Sequence, residues 1–379
     1  MPDPIALGRP TFGEEEVDAV RAVLESGWVA GQGPKCGELE ASFAASCGAR
    51  HTIAVSNCTA ALHLSLLALG VGAGDEVLVA DYTFPATGHA VLYAGARPAF
   101  VDVRPDTWCV DPGAVEAAIG PRTRGVIAVD SFGQLADYDE LRRITGAHGL
   151  FLIEDAACAA GAAYKSRQAG NPTLADVACF SLHGRKGISC GEGGLVTTDD
   201  DAIAARVRKL SAFGIESARD RQDSDTLPIP VFDDIGYNYK LSDIAAAIAV
   251  VQLGRLADLV KARTRVAEQY HALFADVDDI EVPFTASDRD HAWQSYVLTL
   301  APTVSRDRVA MDLRAQGIGA NIGTYASHLQ PVYGKTAPCP VSADIFRRHL
   351  AIPMHANLTD DEIERVGAAV RTAVHAATN

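Results

Sequence analysis

Residues 180–194 read Phe180-Ser-Leu-His183-Gly-Arg-Lys186-Gly-Ile-Ser-Cys-Gly191-Glu-Gly-Gly194. The apolar run that leads into them predicts a buried strand, and the polar turn that follows carries a serine, a histidine and a lysine. Ligand sites of parallel sheets gather where strands end, and small residues beside Lys186 leave room for a ligand. Most lysines are ordinary solvated side chains, but this position makes Lys186 a candidate functional residue.

The same rhythm, a short β-branched run followed by an Ala/Leu-rich stretch, extends from about residue 50 to residue 250. Several runs are apolar throughout, as expected for strands that are covered on both faces. The pattern predicts an α/β fold with a mostly parallel sheet that is covered by helices. The seven predicted strands are Thr52–Ser56, Glu76–Ala80, Pro98–Val103, Gly125–Asp130, Leu150–Glu154, Ala178–Leu182 and Gly194–Thr198.

The rhythm changes near residue 240, where longer helical patterns begin. We therefore predict a large α/β domain over residues 13–250 and a smaller α+β domain over residues 251–379, with residues 1–12 packed nearby. The wholly polar stretch 219–225 predicts a surface loop. The later predicted elements are helices at Leu241–Leu253 and Leu256–Phe274, a strand at Ser295–Leu300, and helices at Arg306–Gln316 and Thr359–Val374.

Composition, charge and cysteine content exclude several classes of protein. The 379 residues include 33 basic and 48 acidic side chains, a formal charge of −15 that argues against a nucleic-acid partner. The longest uniformly apolar stretch, residues 244–251, is far too short to cross a bilayer, and the amino terminus lacks the features of a signal peptide. Eight cysteines without a C-x-x-C pair or a histidine cluster predict no metal site and a reducing, cytoplasmic location.

Nucleotide-binding motifs are missing from the sequence. It contains no G-x-x-x-x-G-K-[ST], and no G-x-G-x-x-G lies between a strand and a helix. A nicotinamide-dependent oxidoreductase therefore has little support.

Three further motifs follow predicted strands. Asp155, after Phe151-Leu-Ile-Glu154, is either a helix cap or a carboxylate for a protonated heteroaromatic nitrogen. Thr59 opens a helix whose free N–H groups suit a phosphate, although Ser56 or Asn57 could simply cap that helix. Phe84 is either a core residue or a ring that stacks on a planar ligand. Together with Lys186, these residues supply the groups that a pyridoxal 5'-phosphate (PLP) site requires.

A longer series of motifs runs through almost the whole chain. It comprises Ser26-Gly-Trp28, Gly31-Gln-Gly33-Pro34, Asn57-Cys-Thr59-Ala-Ala-Leu62, Thr83-Phe84, Glu154-Asp155-Ala-Ala157, residues 180–194, Gly236-Tyr-Asn238-Tyr-Lys240-Leu-Ser242, His328-Leu-Gln-Pro331 and Ile352-Pro-Met-His355-Ala-Asn-Leu358-Thr359. In these motifs the chain resembles the DegT-like (DegT/DnrJ/StrS) nucleotide-sugar aminotransferases, which are fold-type I PLP enzymes.

The resemblance assigns roles to individual residues. It implies a Schiff base between Lys186 and PLP, and a contact of Asp155 with the pyridine nitrogen. The implied phosphate and ring contacts are Thr59, the Ala60 backbone, Ser181 and Phe84, with Asn238 reaching across the interface of a homodimer. The chain departs from the family at Cys58 (usually Gly), at Cys158 (often Gln or His), at Asp130 (His expected) and at Leu135 (Pro expected).

The resemblance also implies a reaction. A lysine at position 186 favours transamination over sugar deoxygenation, for which relatives carry histidine. The expected activity moves an amino group from L-glutamate or glutamine to a dTDP-linked 4-keto-6-deoxysugar. Nucleotide 3-ketosugar and cyclitol amination are alternatives, and a non-catalytic PLP-fold regulator is a distant one. The sugar is expected between subunits, near His183, Lys240, Tyr325 and His328.

Overall fold

The computed structural model describes residues 3–215, 232 and 234–378, so the predicted loop 219–225 lies outside the described residues. The fold is α/β, as predicted. Among the described helices, none is long and apolar enough to cross a membrane.

A large sheet organises the first two thirds of the chain. Within the described residues its strands, in chain order, are β1 (His51–Val55), β2 (Glu76–Ala80), β3 (Arg97–Val101), β4 (Thr123–Val129), β5 (Phe151–Asp155), β6 (Val177–Ser181) and β7 (Gly194–Thr198). The spatial order is β1-β7-β6-β5-β4-β2-β3. Strand β7 is antiparallel to both of its neighbours, and the other pairs are parallel. The predicted seven-stranded, mostly parallel sheet is confirmed.

Helices cover this sheet and continue into the rest of the chain. They are α1 (Glu14–Ser26), α2 (Pro34–Cys47), α3 (Cys58–Ala68), α4 (Pro85–Tyr93), α5 (Pro112–Ala118), α6 (Tyr138–His148), α7 (Asp201–Ser211), α8 (Asp243–Gly254), α9 (Leu256–Phe274), α10 (Arg306–Ala315), α11 (Pro340–Arg348) and α12 (Asp360–Ala377). Short 3₁₀ turns lie at Ser131–Gly133, Ser327–Leu329 and Pro331–Tyr333.

A smaller antiparallel sheet follows α9. Its strands are β8 (Ile280–Glu281), β9 (Tyr296–Leu300), β10 (Asn321–Ile322) and β11 (His349–Ile352), in the order β8-β9-β11-β10. Two further pairings join distant segments. Tyr82–Thr83 pairs with Tyr325–Ala326, while Ala163–Tyr164 pairs with both Arg167–Gln168 and Arg289–Asp290.

The alternation of side chains along β5 places its two acids on opposite faces of the large sheet. Ile153 belongs to the core beneath α3 and α7, and Leu152 to the core beneath α2 and α6. Because successive side chains point to opposite faces of a strand, Asp155 shares the face of Ile153 and Glu154 shares that of Leu152. Asp155 therefore lies on the face of the sheet that α3 covers.

A second core surrounds the smaller sheet. Tyr296 and Leu298 of β9 pack there with residues of α9, α10 and α12. Ile5 joins the same core and donates its backbone N–H to the Gly317 carbonyl at 2.8 Å. The division of the chain at residues 250 and 251 stays a prediction.

Helix ends follow capping chemistry more closely than hydrophobic pattern. Helix α8 begins at Asp243, two residues after the predicted start, because the Ser242 hydroxyl accepts the Ala245 N–H at 3.3 Å. Thr359, the first residue of the last predicted helix, caps α12 and forms a capping box with Glu362.

Gly194 brings three elements of the site together. It lies opposite Val55 and Ser181 in the sheet, and a Cβ built on it would stand 2.5 Å from the Asn57 carbonyl carbon. We expect Gly194→Ala to lower the free energy of unfolding by about 1–3 kcal/mol, because backbone rather than a flexible side chain would have to move. Urea unfolding checks this.

The matched control for that change is Gly72→Ala. A Cβ at Gly72 meets no atom within 4 Å in the described part of the chain, and its φ is not positive. We expect little change in the unfolding midpoint of this variant. Equal midpoints for the two variants would contradict the prediction.

Candidate active site

The site lies where β5 and β6 end. Asp155 is the last residue of β5, and the loop after β6 carries His183 and Lys186. A cavity of about 200 Å³ opens there. Of the predicted site residues it is lined by Phe84, Asp155, Cys158, His183, Lys186 and Tyr325. The structure thus brings both predicted catalytic residues to one cavity.

The Lys186 amine contacts the Cys158 thiol. Nζ lies 3.2 Å from Sγ, and the Lys186 N–H donates to the His183 carbonyl at 2.9 Å, which holds the turn. Burial by itself lowers the pKa of Lys186, but the neighbouring Cys158, Cys58 and Asp155 outweigh burial and raise it.

The Asp155 carboxylate is fixed by hydrogen bonds from two sides. The Thr87 hydroxyl donates to Oδ2 at 2.8 Å, and the Ala157 N–H donates to Oδ1 at 3.2 Å. Burial raises the pKa of Asp155, while these hydrogen bonds and the Lys186 charge oppose the rise. The side chain is therefore held in one orientation at the cavity.

The first turn of α3 lies close to Asp155 and Lys186. Asn57 caps the helix by accepting the Ala60 N–H at 2.8 Å, so the capping interpretation is correct for Asn57. The N–H groups of Cys58 and Thr59 fall in the first turn, where a helix supplies no acceptor of its own. Cys58 is near enough to Asp155 and Lys186 for their charges to act on its pKa, which burial raises well above the usual value. Cys58, Thr59 and Ala60 do not line the cavity itself, and their role in phosphate binding stays a prediction.

Ser181 ends β6 and is buried. Its hydroxyl accepts the His183 N–H at 3.3 Å. Its role in phosphate binding stays a prediction.

Phe84 presents an apolar ring to the cavity. Its side chain is 62% exposed, although it directly precedes α4, and its ring centroid lies 6.1 Å from that of Tyr325 in an edge-on arrangement. The interpretation of Phe84 as a core residue is therefore excluded. An exposed aromatic face opposite a buried carboxylate suits a planar heteroaromatic ligand.

These groups fit PLP. Lys186 offers an amine to the carbonyl of PLP, and Asp155 offers an oriented carboxylate to the ring nitrogen. The open ring of Phe84 suits the face of the cofactor ring, and the N–H donors at Cys58 and Thr59 suit the phosphate. The weak point is Cys158, because a thiol is a poor hydrogen-bond donor.

Tyr325 and His183 line the cavity, but His328 does not. The His328 imidazole and backbone N–H both bind the buried Asp81 carboxylate, each at 2.6 Å. The side chain is thereby committed to a contact within the fold. Its predicted contact with the sugar is untested.

Asn238 and Lys240 also lie outside this cavity. The Lys240 amine donates to the Asn238 side chain, which is exposed, and stands 4.3 Å from the centre of the Phe213 ring. The intervening Tyr239 accepts the Ser56 N–H at 2.7 Å, so the segment borders the end of β1. Their predicted roles at a partner's site stay predictions.

Sequence reasoning missed Thr87, which contacts Asp155, and several residues that line the cavity. Thr87 was not singled out, although it follows Phe84 by three residues and therefore shares its side of the first turn of α4. Gln294 and Asn321 line the cavity from the carboxyl-terminal part of the chain. Isolated polar residues between short strands offered no signal for them.

Asp130 lies in a buried acid pair. Its Oδ1 accepts the Tyr138 hydroxyl at 2.9 Å and the Ala136 N–H at 3.1 Å. Burial raises the pKa of Asp130 to about 7, and burial together with the Asp130 charge raises that of Glu154. Two such carboxyl groups do not both ionise readily, so the pair retains a proton.

This pair predicts a pH dependence of stability. Because the folded protein binds these protons more tightly than the unfolded chain does, the contribution of this pair to the free energy of unfolding falls as pH rises from about 4 through 7. We expect Asp130→Asn to flatten that fall. Urea midpoints measured across this pH range check the slope. The exposed Asp258→Asn serves as the control and should keep the wild-type slope. A steep fall in Asp130→Asn would contradict the prediction.

The chain is similar to known proteins over almost its whole length. A family model described as the DegT/DnrJ/EryC1/StrS aminotransferase family matches residues 10–371. The spore coat polysaccharide biosynthesis protein SpsC of Bacillus subtilis (strain 168) is 36% identical over 378 residues, covering 97% of this chain and 96% of SpsC.

Solved structures agree with this match. The aminotransferase TlmJ from Streptoalloteichus hindustanus is 33% identical with a TM-score of 0.91, over 98% of this chain and 99% of TlmJ. The PLP form of Spr1654 from Streptococcus pneumoniae is 26% identical with a TM-score of 0.91, over 99% of this chain and 100% of Spr1654.

Proposed function

Because this chain belongs to the DegT/DnrJ/EryC1/StrS aminotransferase family and is a sugar aminotransferase, we propose that it uses PLP held by Lys186. In this proposal the amino group comes from L-glutamate or glutamine and is transferred to a nucleotide-linked keto sugar, specifically a dTDP-4-keto-6-deoxyhexose. One observation carries the proposal: Lys186, Asp155 and Phe84 line a single cavity at the end of the parallel strands.

PLP, when bound, withdraws the electrons released as a proton leaves the carbon that bears the amino group. The Lys186 amine is placed to accept that proton and to return it to a second carbon. Asp155 holds a proton on the ring nitrogen, which suits an orientation fixed by Thr87 and Ala157. Phe84 covers the ring face and excludes water from it. The phosphate is proposed to bind Thr59, the Ala60 backbone and Ser181.

Two sequence features bear on the reaction. Lysine at position 186 supports amino transfer rather than deoxygenation, and the pattern from Ser181 to Gly194 resembles that of enzymes acting at the sugar 4-position. His183 and Tyr325 line the cavity and are proposed to contact the sugar. Amination of a 3-keto sugar or of a cyclitol is the second candidate.

The test uses the protein loaded with PLP. Incubation with L-glutamate or glutamine should convert the cofactor to its pyridoxamine form and release the corresponding keto acid. Glutamate-dependent amination of dTDP-, UDP- and GDP-linked keto sugars then identifies the acceptor. A protein that binds PLP without releasing keto acid would be a binding protein, and one that consumes NADH or NADPH instead would be an oxidoreductase. Either result contradicts the proposal.

We propose that the working form is a cytoplasmic homodimer with shared sites. Several large apolar side chains are exposed, among them Phe84 at the cavity and Tyr93, Leu329 and Val332 elsewhere on the surface, which suits a protein interface. Asn238 is exposed as well and is proposed to bind the partner's phosphate, with Lys240 beside it. All eight cysteines are free thiols, which supports a reducing compartment.

Subunit mixing tests the shared site. Lys186→Ala and Asn238→Ala proteins should each have low activity, whereas a mixture that exchanges subunits should recover about a quarter of wild-type activity, because half of the dimers then contain one intact site. Mixing Lys186→Ala with itself is the control. No recovery, despite demonstrated heterodimers, would contradict a site shared between subunits.

A further inference from the structure

A second, smaller recess adjoins the cavity and shares the wall formed by Gly8, Arg185, Lys186 and Gln294. We name it the arginine recess. Its volume is about 20 Å³. Its charged and titratable lining residues are Arg9, Arg185, Lys186, Arg263 and His355.

The guanidinium groups of this recess lack acidic partners. Arg9 and Arg185 are exposed, and neither guanidinium has a hydrogen bond or ion pair within the described residues. Arg263 is buried and donates to the carbonyl oxygens of Ala292, at 3.1 Å, and Gly187. No aspartate or glutamate lines the recess among the residues that the structure describes.

His355 adds an independent observation. Its side chain lines the recess and is 7% exposed, and its buried Nδ1 has no hydrogen-bond partner in the described part of the chain. A neutral imidazole can still donate one N–H. A buried polar atom without a partner costs free energy unless a ligand or water satisfies it.

Such a cluster is unusual in this protein. The chain carries a formal charge of −15, so acidic side chains were abundant partners for any arginine. Yet three arginines and a lysine line one recess, and in the part of the chain that the structure describes no carboxylate lines it, although the Glu362 charge acts on His355 from outside. A small bound anion would give the guanidinium groups of Arg9 and Arg185 charge-assisted hydrogen bonds.

We propose that the arginine recess binds the α-carboxylate of the amino donor. The inference rests on the proposed function, since it names how the same site recognises glutamate or glutamine. In an amino acid the carboxylate and the amino group share one carbon, so an anion site must adjoin the lysine that acts on that carbon. Lys186 lines both the cavity and the recess, as this requires.

The size of the recess favours a carboxylate over the diphosphate of a nucleotide sugar. A volume of about 20 Å³ is little more than one water molecule needs, so it suits one small planar group. A diphosphate with its nucleoside would overfill it. Arginine also binds carboxylates in a bidentate, planar arrangement.

The test measures donor and acceptor separately in the holoenzyme. We expect Arg185→Gln and Arg9→Gln each to raise the KM for L-glutamate about tenfold, with kcat and the KM for the keto sugar changed little. Arg185→Lys should recover part of the loss. The control is Arg124→Gln, which removes an exposed arginine at the start of β4, the opposite end of the strands. It should leave both KM values unchanged.

A binding measurement keeps the inference separate from the proposed function. Glutarate, a dicarboxylate with neither amino nor keto group, should bind the wild-type holoenzyme and bind both Arg→Gln variants about tenfold more weakly. UDP, dTDP and inorganic pyrophosphate should bind all of them alike. Unchanged glutarate binding and glutamate KM in the variants would overturn the inference, as would weakened pyrophosphate binding alone. A wild-type protein that releases no 2-oxoglutarate would instead overturn the proposed function.

Discussion

Lys186→Ala is expected to abolish amino transfer, with a loss of about 10⁴-fold, the upper end of what a positioned proton-transfer group contributes. In the proposed mechanism the variant loses both the covalent anchor for PLP and the group that moves the proton. Borohydride reduction of the wild-type holoenzyme, followed by peptide mass analysis, should find the cofactor on the peptide containing Lys186. The same treatment should leave the variant unlabelled.

The matched control is Lys261→Ala, which removes an exposed lysine of α9. It should keep both activity and labelling. Retention of covalent cofactor by Lys186→Ala would show that another amine holds PLP and would overturn the assignment. Thermal unfolding of each variant separates this result from loss of fold.

Asp155→Asn is expected to lower the rate of amino transfer about 10²- to 10⁴-fold, although cofactor should remain attached to Lys186. An amide has nearly the shape of the carboxylate: its oxygen can accept the Ala157 N–H, while its NH2 can donate to the Thr87 hydroxyl, which reverses the direction of that hydrogen bond. It carries no charge, so it cannot hold a proton on the ring nitrogen. Labelling with slow transfer therefore separates this variant from Lys186→Ala.

Two Thr87 variants test whether the Thr87 hydroxyl orients Asp155. Thr87→Ser keeps the hydroxyl that donates to Asp155 and should remain close to wild type, whereas Thr87→Val loses it and should fall between wild type and Asp155→Asn. A wild-type rate in Asp155→Asn would contradict a role for the charge. Equal rates in the two Thr87 variants would contradict the orienting role of the hydroxyl.

The strands were predictable because their signal is local. Runs such as Glu76–Ala80 and Gly194–Thr198 consist mainly of apolar and β-branched residues, and the observed bounds agree with the prediction at both ends. Residues that end the parallel strands, such as Asp155 in β5, then meet at one edge of the sheet. The shared cavity of Asp155 and Lys186 follows from that geometry.

Contacts across long stretches of sequence were not predictable in the same way. Nothing local to His328 indicates that Asp81, 247 residues away, accepts its hydrogen bonds. The carbonyl contacts of Arg263 depend equally on how α9 packs against the Lys186 loop. The role of Asn238 could not be derived from local sequence for a different reason. It concerns the site of a partner subunit, whose surface is not part of a single chain.

The contact between Asp81 and His328 has an evolutionary consequence. One buried carboxylate joins the segment that ends in Phe84 to the segment that carries Tyr325, and Thr83 pairs with Tyr325 directly. A substitution at either position alone leaves a buried carboxylate without its partner or an imidazole without its acceptor. Positions 81 and 328 are therefore expected to co-vary among descendants of this sequence. Chimaeras that exchange the carboxyl-terminal third between related proteins should tolerate the exchange only when both positions come from one parent.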